Sequence, residues 1–174
     1  SIFDLGAQKL IDGSELDMKS IAGKPALAMN GLRGEGNSKG YKIALELHQA
    51  FGEKLEILLF PCDQFGGQEL PADQAAEFCV KKGLPTNAPG CKMFAKSDMN
   101  GPSTHPIWAL AKAKFPGCGT CIERVARAYH LLIAHTESPV VPVFSDVQWN
   151  FDGIFLFDKL GVPASRTSIR NAPT

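Results

Sequence analysis

Apolar residues in this chain come in short bursts with two different spacings. Leu55, Ile57, Leu58, Leu59 and Phe60 run almost without interruption, a density that suits a strand buried on both faces. Pro61 ends it, because proline has no amide hydrogen to give a neighbouring strand. Ala26, Leu27, Ala28 and Met29, entered through Pro25, read as a second buried strand over 25–30. Residues 1–4 read as a short opening strand, and Asp12 with Gly13 marks a hairpin turn. A helical spacing appears at Ile43, Leu47, Ala50 and Phe51, one apolar stripe. It recurs over 73–82, with Ala75, Phe78 and Cys79 turned inward and Gly83 as the residue past the cap. The Pro/Asn/Gly stretch 86–90 reads as a loop. Ile122, Val125, Tyr129, Leu132 and Ile133 form the apolar face of an amphipathic helix. A strand over 154–158 and a hairpin partner within 161–170 close the chain.

Composition narrows the classes. A chain of 174 residues, 44% of them apolar, buries about 70% of its unfolded surface as one domain. Its 18 basic and 18 acidic side chains cancel, so nothing argues for a nucleic-acid or anionic-membrane partner. No apolar run approaches the roughly 20 residues that span a bilayer. The chain starts at Ser1, and the expectation is a leader removed or left out, of unreadable type. Five cysteines at irregular spacing suit an intracellular reducing compartment, an organelle included, better than a disulfide scaffold.

Two stretches carry candidate chemistry by residue type. Residues 31–40 lie between a strand and a helix, where backbone amides favour an anion or a thiolate. Gly31, Gly36 and Ser38 come close to a phosphate-binding loop, but Asn37 stands where its lysine must neutralise phosphate. Glu35 adds a further negative charge. That match fails at its electrostatic centre. Cys118 and Cys121 form a CxxC beside a capping-box pattern, Thr120 to Glu123. Structural thiols, a redox-active disulfide, or a metal completed by His130, His135 or Cys91 all remain open there.

The stretch after the first strand settles the kinship. Residues 60–69 read Phe-Pro-Cys-Asp-Gln-Phe-Gly-Gly-Gln-Glu, which resembles the signature of the glutathione peroxidases, with Asp63 for the usual Asn and Leu70 for the usual Pro. Similar matches are the Asp12–Gly13 turn, the run from Met93 to Gly101, the helix opening at His105 and Pro106, and Trp149, Asn150 and Phe151. The resemblance implies an α/β, thioredoxin-like fold of glutathione peroxidase type: a central mixed sheet flanked by helices, an amino-terminal hairpin and a helical insert. One domain over 1–174 is expected, with the insert at about 111–145, where the resemblance lapses. The family's final helix is expected to be lacking after 170, leaving a face for a partner.

The same resemblance implies a site. In the family a Gln, a Trp and an Asn surround the peroxidatic cysteine or selenocysteine; these map to Gln68, Trp149 and Asn150. With Asn30 and Gly36 in register, the peroxidatic position falls on Glu35, and no cysteine precedes Cys62. Glu35 reads as a charge stabilising a helix start, in preference to a new catalytic group. The expected function is a catalytically degenerate peroxidase scaffold acting as a structural or interaction subunit among other protein subunits. The alternative is a thiol-dependent peroxidase or thiol–disulfide oxidoreductase using Cys118 and Cys121, with glutathione or thioredoxin as partner. No cofactor or metal is expected. Cys62 and Cys79 read as buried packing thiols, and His105 as a turn residue.

Overall fold

A computed structural model describes residues 1–30, 38–67, 70–115, 146–147 and 153–167. Its centre is a six-stranded sheet. In chain order the strands are β1 (Ala7–Lys9), β2 (Glu15–Asp17), β3 (Ala26–Asn30), β4 (Glu56–Phe60), β5 (Asn87–Ala88), β6 (Cys91–Met93), β7 (Ile154–Phe157) and β8 (Pro163–Thr167). The sheet runs β5-β6-β4-β3-β7-β8, and β1 with β2 forms a separate antiparallel pair. Neighbours β6, β4 and β3 are parallel, while β7 is antiparallel to β3, so the sheet is mixed.

Strand β4 is buried at all five positions, the apolar run Ile57–Phe60 and Glu56 before it, as a central strand covered on both faces requires. Its side chains alternate between two cores. Leu58 and Phe60 join Ala26, Ala28, Phe155 and Phe157 on one face, together with Trp108 of helix α3 (Pro106–Lys114). Ile57 and Leu59 join Met29 and Ile154 on the other, under α1 (Ser38–Phe51) and α2 (Ala72–Lys81). Helices therefore flank both faces.

Several expectations hold in detail. Helix α2 turns Ala75, Phe78 and Cys79 toward the core. It ends in a Schellman motif: Leu84 N–H donates to the Cys79 carbonyl at 3.0 Å and Gly83 N–H to that of Val80 at 2.9 Å. Gly83 sits at φ +85°, the left-handed conformation that closure needs. His105 is the N-cap of α3 and Pro106 its first residue.

Others are corrected. The opening strand over 1–4 is a 3₁₀ turn, Ile2–Asp4, because Asp4 Oδ2 accepts from Ser1 Oγ at 2.7 Å and closes the chain on itself. Of the expected stripe Ile43, Leu47, Ala50 and Phe51, Leu47 packs against the core while Ala50 and Phe51 are exposed. Tyr41 and Ala44 are the buried residues of α1, and Phe51 is half exposed. The loop 86–90 contains β5, paired with β6. At the start of the supposed insert, Ala111 and Lys112 belong to α3.

Candidate functional site

Parallel pairing sets Asn30 level with Phe60, and antiparallel pairing sets Met29 opposite Ile154. The carboxyl ends of β3 and β4 and the start of β7 thus share one end of the sheet, the end where open α/β sheets place ligands. Four of the predicted site residues belong, by sequence, to segments leaving or entering there. Glu35 follows Asn30, Gln68 follows Gly67, and Trp149 and Asn150 precede Gly153. Glu35, Gln68, Trp149, Asn150, Cys118 and Cys121 themselves lie outside the described residues. What the structure describes is the frame that borders them.

That frame is held by polar side chains. Asn30 is fully buried, and its Oδ1 accepts from Gly153 N–H at 3.1 Å. After β4 the chain turns through Gly66 and Gly67, both at positive φ. Gly67 N–H closes this turn on the Asp63 carbonyl at 3.2 Å, and Lys96 pairs with the Asp63 carboxylate at 2.9 Å. Gln64 reaches across to a second turn. Its Oε1 accepts from the N–H groups of Met99 and Asn100, both at 2.9 Å, and its Nε2 donates to the Asn100 carbonyl at 2.9 Å.

The Asn100 side chain then spans to residue 147. Nδ2 donates to the Val147 carbonyl at 2.8 Å, and Oδ1 accepts from Val147 N–H at 2.9 Å. Lys112, buried on α3, donates to the Met99 carbonyl at 2.6 Å, to Asn100 Oδ1 at 3.2 Å and to Asp146 Oδ1 at 3.3 Å. Arg166 of β8 donates to the carbonyls of Phe115 and Asp146 at 3.2 and 3.1 Å. Glycine is required at 153 on steric grounds. A Cβ there would stand 2.7 Å from Val147 Cγ2 and 2.9 Å from Trp108 Cζ3.

Burial holds two of the described thiols in their neutral form. Burial pushes the Cys62 thiol above its ordinary pKa and pushes that of Cys91 up to about 12. Cys79 is buried as well. A thiol held neutral is neither nucleophile nor metal ligand. His105 Nδ1 accepts from Ile107 N–H at 3.3 Å, which makes it a helix cap. Among the described residues no three His, Cys, Asp or Glu side chains are grouped to hold a metal. None of the described helices is long and apolar enough to cross a membrane.

A sequence model described as glutathione peroxidase matches residues 2–112, well over half of the chain. The chain belongs to the glutathione peroxidase family. Glutathione peroxidase 1 of Pongo pygmaeus is 30% identical, over 98% of this chain and 84% of its own length. Glutathione peroxidase 2 of Mus musculus is 33% identical, over 97% of this chain and 86% of its own length. The crystal structure of T. cruzi GPX1 superposes with a TM-score of 0.61 at 28% identity, covering 97% of this chain and 86% of that one. The fold is therefore the thioredoxin-like glutathione peroxidase fold that the signature implied. Sequence reasoning missed Gln64, Asn100, Lys112 and Arg166 as members of the frame. Gln64 carried a signal, being an amide in a signature loop with few other polar groups.

Proposed function

We propose that this chain is a catalytically silent member of the glutathione peroxidase family, serving as a structural or interaction subunit of a larger assembly. The observation that carries this reading is the position of its cysteines: none precedes Cys62, and the register puts Glu35 at the peroxidatic position. A peroxidatic thiolate attacks the peroxide O–O bond and becomes a sulfenic acid that a second thiol reduces. A carboxylate has no corresponding oxidation. The described cysteines offer no substitute, since Cys62, Cys79 and Cys91 are all buried. Gln68, Trp149 and Asn150 are then the remnant of the pocket. We assign the chain as one domain over 1–174 with an insert at about 111–145.

The test is peroxide reduction by the purified protein, with hydrogen peroxide or a lipid hydroperoxide and with glutathione or thioredoxin as reductant. No turnover above the protein-free rate is expected. Turnover that disappears in Gln68→Ala would overturn the reading. A second reading rests on the CxxC itself: Cys118 and Cys121 act as relocated redox thiols. Thiol trapping under mild oxidant decides it, because failure to form a Cys118–Cys121 disulfide removes it.

A further inference from the structure

Asn100 is followed by Gly101, the most labile setting for an asparagine amide, because glycine has no side chain to hinder ring closure and adopts the backbone angles it needs. The Gly101 nitrogen attacks Asn100 Cγ. A C–N bond forms, the Cγ–Nδ2 bond breaks, and ammonia leaves, taking up the proton that the attacking nitrogen releases. Water then opens the cyclic imide to aspartate or isoaspartate, and no electrons change hands. We propose that Asn100 is a deamidation site that Gln64, Val147 and Lys112 hold closed, and that its conversion irreversibly unfastens Val147.

The nucleophile is at hand. Gly101 is exposed at φ +82°, with nothing within 4 Å of its Cβ position. Among the described residues its N–H donates to no protein group. The chain's other Asn–Gly pair starts at Asn30, which is fully buried.

What the fold withholds is motion. Gln64 holds the Asn100 backbone at both polar groups, accepting from the N–H and donating to the carbonyl, each at 2.9 Å. The side-chain amide is tied at both ends, Nδ2 to the Val147 carbonyl at 2.8 Å and Oδ1 to Val147 N–H at 2.9 Å. Lys112 Nζ adds a third bond to Oδ1 at 3.2 Å. Bringing the Gly101 nitrogen onto Cγ turns either the side chain or the 100–101 peptide, and each turn breaks some of these bonds. Lys112 also polarises the amide carbonyl, but polarisation helps only once the reacting atoms can meet. The rate therefore follows the fraction of time that the network is open.

The product cannot close the network again. Lys112 has only donors, so it keeps an oxygen of the new carboxylate. The second oxygen then stands where Nδ2 met the Val147 carbonyl, two acceptors with no hydrogen between them.

The experiment incubates the purified full chain at neutral pH and reads conversion at Asn100 by peptide mass spectrometry, beside the same chain in denaturing urea. The native chain is expected to convert at least about tenfold more slowly than the unfolded one. Gln64→Ala frees the Asn100 backbone without touching its amide, and is expected to convert about tenfold faster than the native chain. Asn100→Asp makes the product directly and should unfold at a lower urea concentration.

Equal rates in the folded and unfolded chain overturn the proposal, as does a Gln64→Ala chain that converts at the native rate. An Asn100→Asp chain as stable as the native one overturns it too, because conversion would then unfasten nothing. Should Gln64→Ala fail to fold, the native chain is followed in urea below its unfolding transition. Conversion that quickens with urea supports gating by local opening, and a flat rate overturns it.

Discussion

The two ends of β3 and β4 hold their buried polar groups in different ways. At the carboxyl end Asn30, Gln64, Asn100 and Lys112 each find a partner, and the partners lie on different segments. At the amino end Glu56 is buried with Oε1 accepting from Lys24 Nζ at 3.1 Å and Gly90 N–H at 3.3 Å, while Oε2 has no protein partner. His48 Nδ1 is also buried without one. An interior polar network specifies geometry when its members are satisfied and costs stability when they are not. At the carboxyl end Ser97 Oγ and Trp108 Nε1 are also buried without a protein partner, so what sets that end apart is that its bonded side chains tie several chain segments together.

The largest effect that separates the ends belongs to Lys112. Lys112→Ala strips the donor from the Met99 carbonyl and leaves Asn100 Oδ1 and Asp146 without their cation. Removing one partner from such a network costs about 3 kcal/mol, less than for a fully buried pair because Asp146 can rehydrate. Urea unfolding would show a lower midpoint at unchanged slope. A loss below about 1 kcal/mol would mean the network is ornamental, and the contrast between the ends would not survive.

A smaller effect comes from His105, whose ring stands 5.1 Å from that of Phe60 at the same end. Burial pushes its pKa down to about 4 from the usual 6.5. A depressed histidine means that the unfolded chain takes the proton first. Its contribution is therefore complete above about pH 6.5 and is lost as pH falls toward 4. Allowing for solvent at the half-buried ring, about 2 kcal/mol is at stake. Protonating Nδ1 also removes the acceptor for Ile107 N–H. His105→Asn keeps a capping acceptor without the titration. The difference in melting temperature between the native chain and this variant should change between pH 6.5 and 4 and be flat above.

What could be read in advance follows from how local each signal is. The apolar run Ile57–Phe60 of β4 and the Gly83 stop of α2 are set by near neighbours, so the sequence displays them. His105 before Pro106 is a cap for the same reason. The face of α1 was misjudged because Phe51 is apolar but half exposed, and Tyr41 sits under α2 with its ring 4.9 Å from that of Phe78. Strand β5 has no hydrophobic pattern and exists through its pairing with β6. Gln64 and Asn100 lie 36 residues apart, and Asn100 and Val147 a further 47. No window along the sequence contains such a pair. The family signature made the family and fold legible, while the side-chain contacts at the carboxyl end of the sheet depend on pairings that only folding creates.

The smallest predicted effect tests the amino end. Glu56→Gln retains a side-chain oxygen for Gly90 N–H and Lys24, and removes the charge whose second oxygen already lacks a partner. Lys24 is about one-third exposed, so its ammonium can return to water when the carboxylate is gone. The loss should be about 1 kcal/mol, and the variant should depend less on salt than the native chain. Gly90 limits any rearrangement, because its Cβ position lies 2.5 Å from the Gly52 carbonyl oxygen and 3.3 Å from His48 Cε1. A loss as large as that of Lys112→Ala in the same urea series would show that the amino end is as tightly specified as the other. Joining several segments through side chains would then not be what distinguishes the carboxyl end.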